Sequence, residues 1–343
     1  MGKWMLIVAC ASLLLPFGTT LMVTGNIHGL QYDRQQERAA SGNYRILLDR
    51  SDSGEKGKWL SLEEYLPCVL AVQISPDSEM EAIKAQAVIA RTYIRQQMEN
   101  GTKGSETSET EAAQTDTGET ETDGEIITAA STQKIWEISE TELGLAGKPR
   151  KELKKTWGTD GFLEKYSRLE EAAAQTAGIV LTYQGKLITP LFCKLSAGNT
   201  REGGENYPYL SKVSCPDDVQ AEDFIQYLSF SGAQAAKALS EFQVSPGAFP
   251  AKVQIVKRDG SGYVEELQID GVSINGEDAA QALGLPSSCF FTEPQEKGIA
   301  ITVKGVGHGY GLSQYEAQAK ASEGWDFKQI LEYFYKDIEF CAE

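Results

Sequence analysis

Histidine is nearly absent from this chain, whose 343 residues include only His28 and His308. The six cysteines are far apart, and none of them forms a C-x-x-C pair. Protein zinc sites are built mainly from closely spaced cysteine and histidine ligands. We therefore expect no metal site, and no cofactor motif suggests another bound group.

Cys193 and Cys215 have two interpretations, a disulfide or two free thiols. Outside the cytoplasm, Cys193 and Cys215 could form a disulfide, because that compartment is oxidising. The other interpretation is that both are free thiols buried in the protein.

Clusters of Lys and Arg are also missing. The chain has 49 Asp and Glu against 32 Lys and Arg, which makes the formal net charge −17. Proteins that bind the phosphates of nucleic acids concentrate positive charge. We therefore expect no nucleic-acid partner. The length allows one large domain or two ordinary ones, each with a buried core.

An apolar run lies at the N-terminus. Residues 4–23 are interrupted only by Ser, Thr, Gly and Pro. About 20 helical residues span the ~30 Å apolar layer of a membrane. Residues 1–24 are therefore predicted to be a single-pass anchor in the cell membrane, with Lys3 on the cytoplasmic side and the body outside. The alternative is a cleaved signal segment and a secreted body.

The rest of the chain divides into a stalk and a body. Residues 25–58 are predicted to form the stalk, which ends in short strands at Tyr44–Leu48 and Lys58–Leu60 around a turn at Ser53–Gly54. Residues 59–343 are predicted to form the body. Residues 100–125 are rich in Ser, Thr, Glu and Gly, with almost no bulky apolar residue. Such a segment cannot bury enough apolar surface to order itself, so we predict a disordered acidic insertion.

Helix signals occur along the body. Ser61 and Glu64 have the spacing of a capping box. Apolar residues recur at helical spacing from Glu79 to Met98, and Asn100–Gly101 is a stop signal. Further helices are predicted over 149–178, over the short segment 278–286, and over Phe327–Tyr335.

Strand signals alternate with these helices. The turn Gln184–Gly185 separates two alternating segments, which is typical of a hairpin. Residues 251–258, 263–270 and 298–304 are also predicted strands. The mixed order predicts a single α+β domain, in which the hairpin and the late strands share one sheet and the Glu79–Met98 helix packs on it.

One segment has residue types that suggest a binding or catalytic role. It is "GVGHGYGLSQYEAQAKA", Gly305 to Ala321. Its glycines allow positive φ and a close approach of the backbone to a ligand. Ser313 is placed to cap the helix that follows. His308 has two interpretations, a hydrogen-bonded structural residue or a contact to a ligand.

Three segments together resemble the stage II sporulation protein D family, also called the LytB amidase-enhancer family. They are "LEEYLPCVLAVQISPDSEMEAIKAQAVIARTYI", "FCKLSAGNTREGGENYPYLSKVSCPDD" and "KGVGHGYGLSQYEAQAKASEGWDFKQILEYFY". The resemblance covers roughly Leu60 to Cys341. Some family members bind zinc through Cys and His after the first helix, but the corresponding "ITAASTQKIW" has neither.

The resemblance implies cell-wall remodelling during sporulation. Family members resemble lytic transglycosylases, which cleave MurNAc–GlcNAc bonds in peptidoglycan and leave a 1,6-anhydro sugar. They act on denuded glycan, beside a cell-wall amidase and a membrane scaffold protein, during engulfment. One carboxylic acid protonates the glycosidic oxygen and then takes the proton of the 6-hydroxyl.

That acid is missing at the expected position. The family pattern is close to "G-V-V-A-x-E-M-P" followed by "E-A-L-K-A-Q", and an ungapped match to "EAIKAQ" puts the first glutamate at Gln73. An amide cannot donate or accept a proton at useful pH. Glu81 is the fallback acid, although Lys84 would favour its charged form and its interpretation as a helix-start residue is stronger.

The resemblance therefore predicts either a weakly active lytic transglycosylase or a catalytically silent, glycan-binding scaffold or amidase enhancer. Whether it is an enzyme stays open at this point. We expect nine candidate residues of the three segments to meet in one groove: Gln73, Lys84, Arg91, Ser196, Asn199, His308, Tyr310, Ser313 and Gln314. Tyr315 is a further substrate-binding candidate, and Glu81 stays the fallback acid.

Overall fold

The computed structural model describes residues 43–49, 57–100, 107–109, 133–145, 147–245, 247, 249 and 252–342. These residues form a mixture of helices and strands, as predicted. They divide into two compact units. The first takes in the described residues up to Tyr65 and those from Met98 to Gly144, and the second comprises Leu66–Gln97 and Leu145–Ala342.

The elements are numbered in chain order. The helices are α1 (Leu62–Gln73), α2 (Met80–Asn100), α3 (Glu140–Leu143), α4 (Arg150–Gln175), α5 (Gly232–Ala238), α6 (Gly276–Leu283), α7 (Gln314–Ser322) and α8 (Phe327–Phe334). The strands are β1 (Tyr44–Leu47), β2 (Trp59–Ser61), β3 (Thr107–Glu109), β4 (Gln133–Ser139), β5 (Ile179–Tyr183), β6 (Lys186–Leu187), β7 (Phe192–Cys193), β8 (Ile225–Ser231), β9 (Val253–Arg258), β10 (Val264–Ile269), β11 (Val272–Asn275), β12 (Phe290–Gln295), β13 (Gly298–Lys304), β14 (Leu312–Ser313) and β15 (Glu339–Ala342).

The first unit contains a four-stranded sheet in the order β2-β1-β4-β3. The predicted strands at Tyr44–Leu48 and Lys58–Leu60 correspond to β1 and β2, which pair antiparallel. The turn predicted at Ser53–Gly54 lies outside the described residues. The pairing of β1 with β4 is parallel, so it needs a long connection, which includes α1 and α2.

Several predicted segments fall mostly outside the described residues. The N-terminal anchor at 1–24 does so entirely, and the stalk does so at residues 25–42 and 50–56. Within the predicted acidic insertion, residues 101–106 and 110–125 are not described, whereas Thr107–Glu109 forms β3 and pairs with β4. Among the helices that the structure describes, none combines the length and the apolar character that crossing a membrane requires.

The predicted helices are confirmed. Ser61 and Glu64 form the reciprocal capping box at the start of α1. The predicted apolar stripe of α2 is buried, with Ile83 and Ile94 each fully inaccessible to solvent. The segments predicted at 278–286 and Phe327–Tyr335 correspond to α6 and α8. The segment predicted at 149–178 corresponds to α4, which is interrupted by a kink at the non-helical residue Gly158.

The hairpin is also confirmed. Strands β5 and β6 pair antiparallel through Tyr183 and Lys186, so the turn consists of two residues, Gln184 and Gly185. Their φ angles of 52° and 72° are those of a type I′ turn. Against expectation, the hairpin does not share a sheet with the late strands. Its free edge is taken by β15, which pairs antiparallel with β5.

The late strands form two sheets of their own, β11-β10-β9 and β12-β13-β8. One apolar core covers these sheets, with Val264, Phe290 and Val303 among its buried members. Another core of the second unit joins α2 to the hairpin through Ile89 and Leu181 and also takes in α7 and α8. Helix α2 was predicted to pack on one sheet shared by the hairpin and the late strands, and the structure shows this packing only for the hairpin. This core also supports the candidate site.

Candidate functional site

Three glutamines from three separate elements meet at one point, and we call them the glutamine cluster: Gln73, Gln86 and Gln314. Gln86 Nε2 donates to Oε1 of Gln73 at 2.9 Å. Gln314 Nε2 donates to the backbone oxygen of Gln73 at 2.7 Å and to Oε1 of Gln86 at 3.1 Å. The end of α1, the middle of α2 and the start of α7 are thereby joined.

Gln86 was not among the residues predicted from the sequence. It is completely buried, whereas Gln73 and Gln314 are partly accessible. The sequence feature that could have identified Gln86 is its position between Ala85 and Ala87, which are both core residues. A polar side chain at such a position must find hydrogen-bond partners, because leaving it unpaired in the core costs about 1–3 kcal/mol.

Glu81, the predicted fallback acid, is occupied by protein donors. Its Oε1 is 2.5 Å from Nζ of Lys84, and its Oε2 accepts from the backbone N–H of Phe327 at 2.9 Å. Phe327 is the first residue of α8, where the helix dipole favours a negative charge. Only Oε2 therefore joins α2 to α8, whereas Oε1 forms an ion pair with Lys84 within α2, and Glu81 has a structural role.

Arg91 does not lie with the other candidates. It is 1% exposed, and its guanidinium donates to the backbone oxygens of Ala173 at 3.0 Å and Ile179 at 3.3 Å. It also donates to the Thr176 hydroxyl at 3.3 Å. These acceptors lie at and just beyond the C-terminal end of α4, where a cation is favoured. The sequence placed Arg91 at the edge of the core, but the long side chain turns inward to the end of a helix.

A buried carboxylate joins two of the predicted residues. The backbone N–H of Ser196 donates to Oδ2 of Asp218 at 2.8 Å, and the hydroxyl of Ser313 donates to Oδ1 at 2.8 Å. Asp218 is completely inaccessible to solvent, and burial raises its pKa while these hydrogen bonds oppose the rise. Asp218 was missed because nothing in "SCPDD" separates it from its neighbour Asp217.

Ser313 does not play the predicted capping role. It occupies the position before α7, but its side chain accepts no hydrogen bond from the helix backbone. The hydroxyl is instead used by Asp218. The consequence is that α7, which begins at Gln314, is held to the loop around Ser196 through a buried carboxylate.

The loop that carries His308 and Tyr310 is built around a third unpredicted residue, Arg201. The Arg201 guanidinium lies over the rings of Tyr310 and Tyr263, at 4.3 and 4.8 Å from their centres. Its Nε donates to Asp259 at 2.6 Å. Its Nη1 donates to the carboxylate of Glu277 and to the backbone oxygen of His308, the latter at 3.3 Å.

The glycines of this loop are required by close protein contacts. At Gly311, with φ of 71°, an added Cβ would lie 1.8 Å from the backbone oxygen of Leu191. At Gly309, with φ of 79°, it would lie 2.2 Å from the Tyr263 hydroxyl. The predicted positive φ is confirmed, but the group that approaches the backbone at both positions is protein.

His308 is more than one-third exposed. Nearby protein atoms nevertheless desolvate its ring and lower the pKa of His308, with Glu277 opposing the change. Its Nδ1 accepts a hydrogen bond from the backbone N–H of Tyr310 at 3.0 Å, which requires that nitrogen to be unprotonated. The neutral ring is therefore the form that this loop favours.

The predicted candidates thus meet in smaller groups. Gln73 meets Gln314, Ser196 meets Ser313 through Asp218, and His308 meets Tyr310. Asn199 forms a β-bridge with Ser214, and Tyr315 is 41% exposed beside Gln314. The backbone connects these groups, because β14 pairs with β7 and ends where α7 begins.

The described part of the chain contains no group of three or more His, Cys, Asp or Glu side chains arranged to hold a metal ion. Cys193 and Cys215 are free thiols in the structure, and both are buried. Burial raises the pKa of Cys193 to about 12 and also raises the pKa of Cys215, so both thiols stay protonated at neutral pH.

The sequence matches a known family of bacterial proteins. Residues 51–183 match the model of the family described as stage II sporulation protein (SpoIID). Stage II sporulation protein D of Bacillus amyloliquefaciens is 30% identical over 290 residues, which cover 82% of this chain and 74% of that relative. The protein of the same name from Bacillus subtilis is also 30% identical, over 297 residues with the same coverage.

A partial match concerns another protein of Bacillus subtilis, which is named an amidase enhancer. It is 29% identical over 139 residues, which cover 39% of this chain and 18% of that protein. The long matches confirm the resemblance found in the three motifs. The chain belongs to the stage II sporulation protein D family.

Proposed function

We propose that this chain binds denuded glycan strands of peptidoglycan outside the cell membrane during sporulation, and that it cleaves them very slowly or not at all. The observation that carries the proposal is the side chain of residue 73. The motif resemblance places the family's catalytic glutamate there, and the structure has an amide held by Gln86. The identity of residue 73 should therefore affect glycan cleavage much more than glycan binding.

The chemistry of the amide argues against efficient cleavage. A lytic transglycosylase needs one group that first gives a proton to the glycosidic oxygen and then removes one from the 6-hydroxyl. Loss of a general acid or base slows a reaction on the order of 10²–10⁴-fold, and here one group would serve in both steps. The shape and the hydrogen bonding of glutamine are close to those of glutamate, so the affinity for sugar is expected to survive.

Three carboxylates, those of Glu81, Asp218 and Glu316, are poorly suited to replace it. Both oxygens of Glu81 bind protein donors, one in an ion pair with Lys84 and one at the start of α8. Asp218 and Glu316 are completely buried, and their carboxylates bind protein groups. A group that must touch the glycosidic oxygen needs access to the ligand.

The test is mass spectrometry of peptide-free glycan after incubation with the purified extracytoplasmic region of the wild type, of Gln73→Glu and of Glu81→Gln. We expect sedimentation with glycan for all three and 1,6-anhydro products mainly from Gln73→Glu. The glutamine cluster suits this variant, because Gln86 Nε2 would donate to one carboxylate oxygen and leave the other for the ligand. Abundant anhydro product from the wild type would contradict the proposal, and its loss in Glu81→Gln would assign the acid to Glu81.

A second candidate function is stimulation of a cell-wall amidase, with a membrane scaffold protein as a further partner. The partial match to a protein named an amidase enhancer favours it. The test is the rate at which a purified sporulation amidase releases peptides from intact peptidoglycan, with and without this chain. We expect a rate increase that Gln73→Glu does not alter, since the enhancing role needs no proton transfer. An unchanged rate with the wild type would exclude this candidate.

A further inference from the structure

One backbone carbonyl sets the hydrogen-bond direction of the whole glutamine cluster. The backbone oxygen of Gln73 can only accept, so the Gln314 atom 2.7 Å away must be the NH₂ nitrogen. That nitrogen also donates to Gln86, 3.1 Å away, so the Gln86 atom it meets is the oxygen. The remaining Gln86 atom is then its nitrogen, which must donate to Oε1 of Gln73 at 2.9 Å.

Gln73 consequently directs its oxygen toward the protein. Its Nε2 has no hydrogen-bond acceptor among the residues that the structure describes, and its side chain is only partly buried. Within the described part of the chain, residue 73 therefore presents two unpaired N–H donors on Nε2, whereas its Oε1 already accepts from Gln86. A ligand atom that meets Nε2 must be able to accept a hydrogen bond.

This polarity distinguishes among sugar groups. A hydroxyl can donate or accept, so it adapts to either orientation of the Gln73 amide. An acetamido oxygen only accepts, and it is a strong acceptor because it is an amide carbonyl. An outward NH₂ therefore favours an N-acetylated sugar over one with a hydroxyl at the same position.

We propose that Gln86 is a positioning residue, which holds the Gln73 amide with its NH₂ toward the ligand and so selects an acetamido oxygen of an N-acetylated glycan. The ligand class rests on the proposed function, whereas the orientation of the amide does not. Gln86 suits this role because it is completely buried and cannot itself contact a ligand.

The first experiment measures the orientation directly, by hydrogen exchange of the glutamine side-chain NH₂ groups with water in the ¹⁵N NMR spectrum. Gln73→Glu and Gln86→Met assign the two signals in the wild-type spectrum. We expect the Gln73 NH₂ to exchange at least about tenfold faster than the Gln86 NH₂, since only the latter donates to a protein acceptor. Equal or slower exchange at Gln73 would overturn the proposal, whether or not the chain binds glycan.

The second experiment compares binding of N-acetylchitotetraose with binding of cellotetraose, a neutral oligomer that has hydroxyls in place of the acetamido groups. We expect the wild type to bind the acetylated oligomer more tightly. In Gln86→Glu, residue 86 has no donor for Oε1 of Gln73, so the Gln73 amide turns its NH₂ to the new carboxylate. The preference should then fall about five- to tenfold, the value of about one hydrogen bond.

Gln96→Glu is the matched control, because it is the same substitution on α2. Gln96 Nε2 donates to the Thr189 hydroxyl at 2.8 Å, so the glutamine cluster is left intact and the preference should not change. Gln86→Met tests the role without introducing a buried charge, and it should also reduce the preference. If both Gln86 variants fold and keep the wild-type preference, Gln86 does not position Gln73. If the wild type binds neither oligomer, the proposed function fails, and the exchange experiment alone decides the orientation.

Discussion

Gln314 and the backbone oxygen of Gln73 lie 2.7 Å apart, although 241 positions separate them in the chain. The contact joins the first motif of the family resemblance to the third. Gln86 completes the contact from inside the core, since it bonds to both side chains. Gln73 is therefore part of a connected polar group that joins three helices.

Replacement of Asp218 by asparagine is expected to destabilise the protein. An asparagine has one side-chain oxygen, whereas Asp218 accepts from both Ser196 and Ser313. One donor would lose its acceptor, at a cost of about 1–3 kcal/mol in the free energy of unfolding. Urea denaturation of wild type and Asp218→Asn measures the difference, and an unchanged midpoint would contradict the structural role of this carboxylate.

The stability cost of Asp218→Asn should depend on pH. Because burial raises the pKa of Asp218, the folded wild type keeps the proton at pH values where the unfolded chain has released it. Its contribution to stability is therefore full below the ordinary aspartate pKa of about 4 and declines as the pH rises through the folded value. The amide in the variant does not titrate, so the cost of Asp218→Asn should be largest in acid and shrink toward neutral pH. Urea midpoints measured across this pH range check the trend, and a cost that grows with pH would contradict it.

Alanine at Gly311 should be much more harmful than alanine at Gly185. Both glycines have nearly the same φ, 71° and 72°, so the backbone strain is similar. A Cβ at Gly311 would meet the Leu191 oxygen at 1.8 Å, whereas nothing lies within 4 Å of one at Gly185. We expect Gly185→Ala to cost about 1 kcal/mol and Gly311→Ala several times more, as measured by thermal unfolding. Similar costs would show that the loop around Gly311 readily moves.

Arg91→Met is expected to reduce stability without a direct effect on glycan binding. The substitution removes the guanidinium that donates to the Ala173 and Ile179 oxygens, although Ala173 keeps the backbone N–H of Thr176, so the cost should be on the order of 1–3 kcal/mol. Denaturation and glycan sedimentation, compared at a temperature where the variant is folded, separate the two effects. A large loss of affinity for glycan in the folded variant would show that Arg91 contributes to glycan binding.

The ring of His308 should titrate below the ordinary histidine pKa of about 6.5, because desolvation disfavours its charged form. The stability that this group contributes is full above that value and declines as the pH falls below it, since the unfolded chain binds the proton first. Two histidines make the ¹H NMR titration simple, and His308→Gln assigns the signal. A pKa above the ordinary histidine value would mean that Glu277 outweighs desolvation.

Much of this protein was determined by its sequence alone. The capping box at Ser61, the apolar stripe of α2 and the hairpin turn at Gln184–Gly185 were predicted, because each depends on residues close together in the chain. The three motifs were also enough to predict the family.

Only the tertiary structure decided which distant groups meet. Strand β15 took the free edge of β5, and the late strands formed separate sheets, because backbone pairing depends on which edges are left free after the cores assemble. Ser313 was expected at a helix cap but bonds Asp218, and Arg91 was expected near the ligand but bonds the end of α4. A polar side chain enclosed in a core takes whichever partner the packing brings within about 3 Å, and no local pattern records that choice.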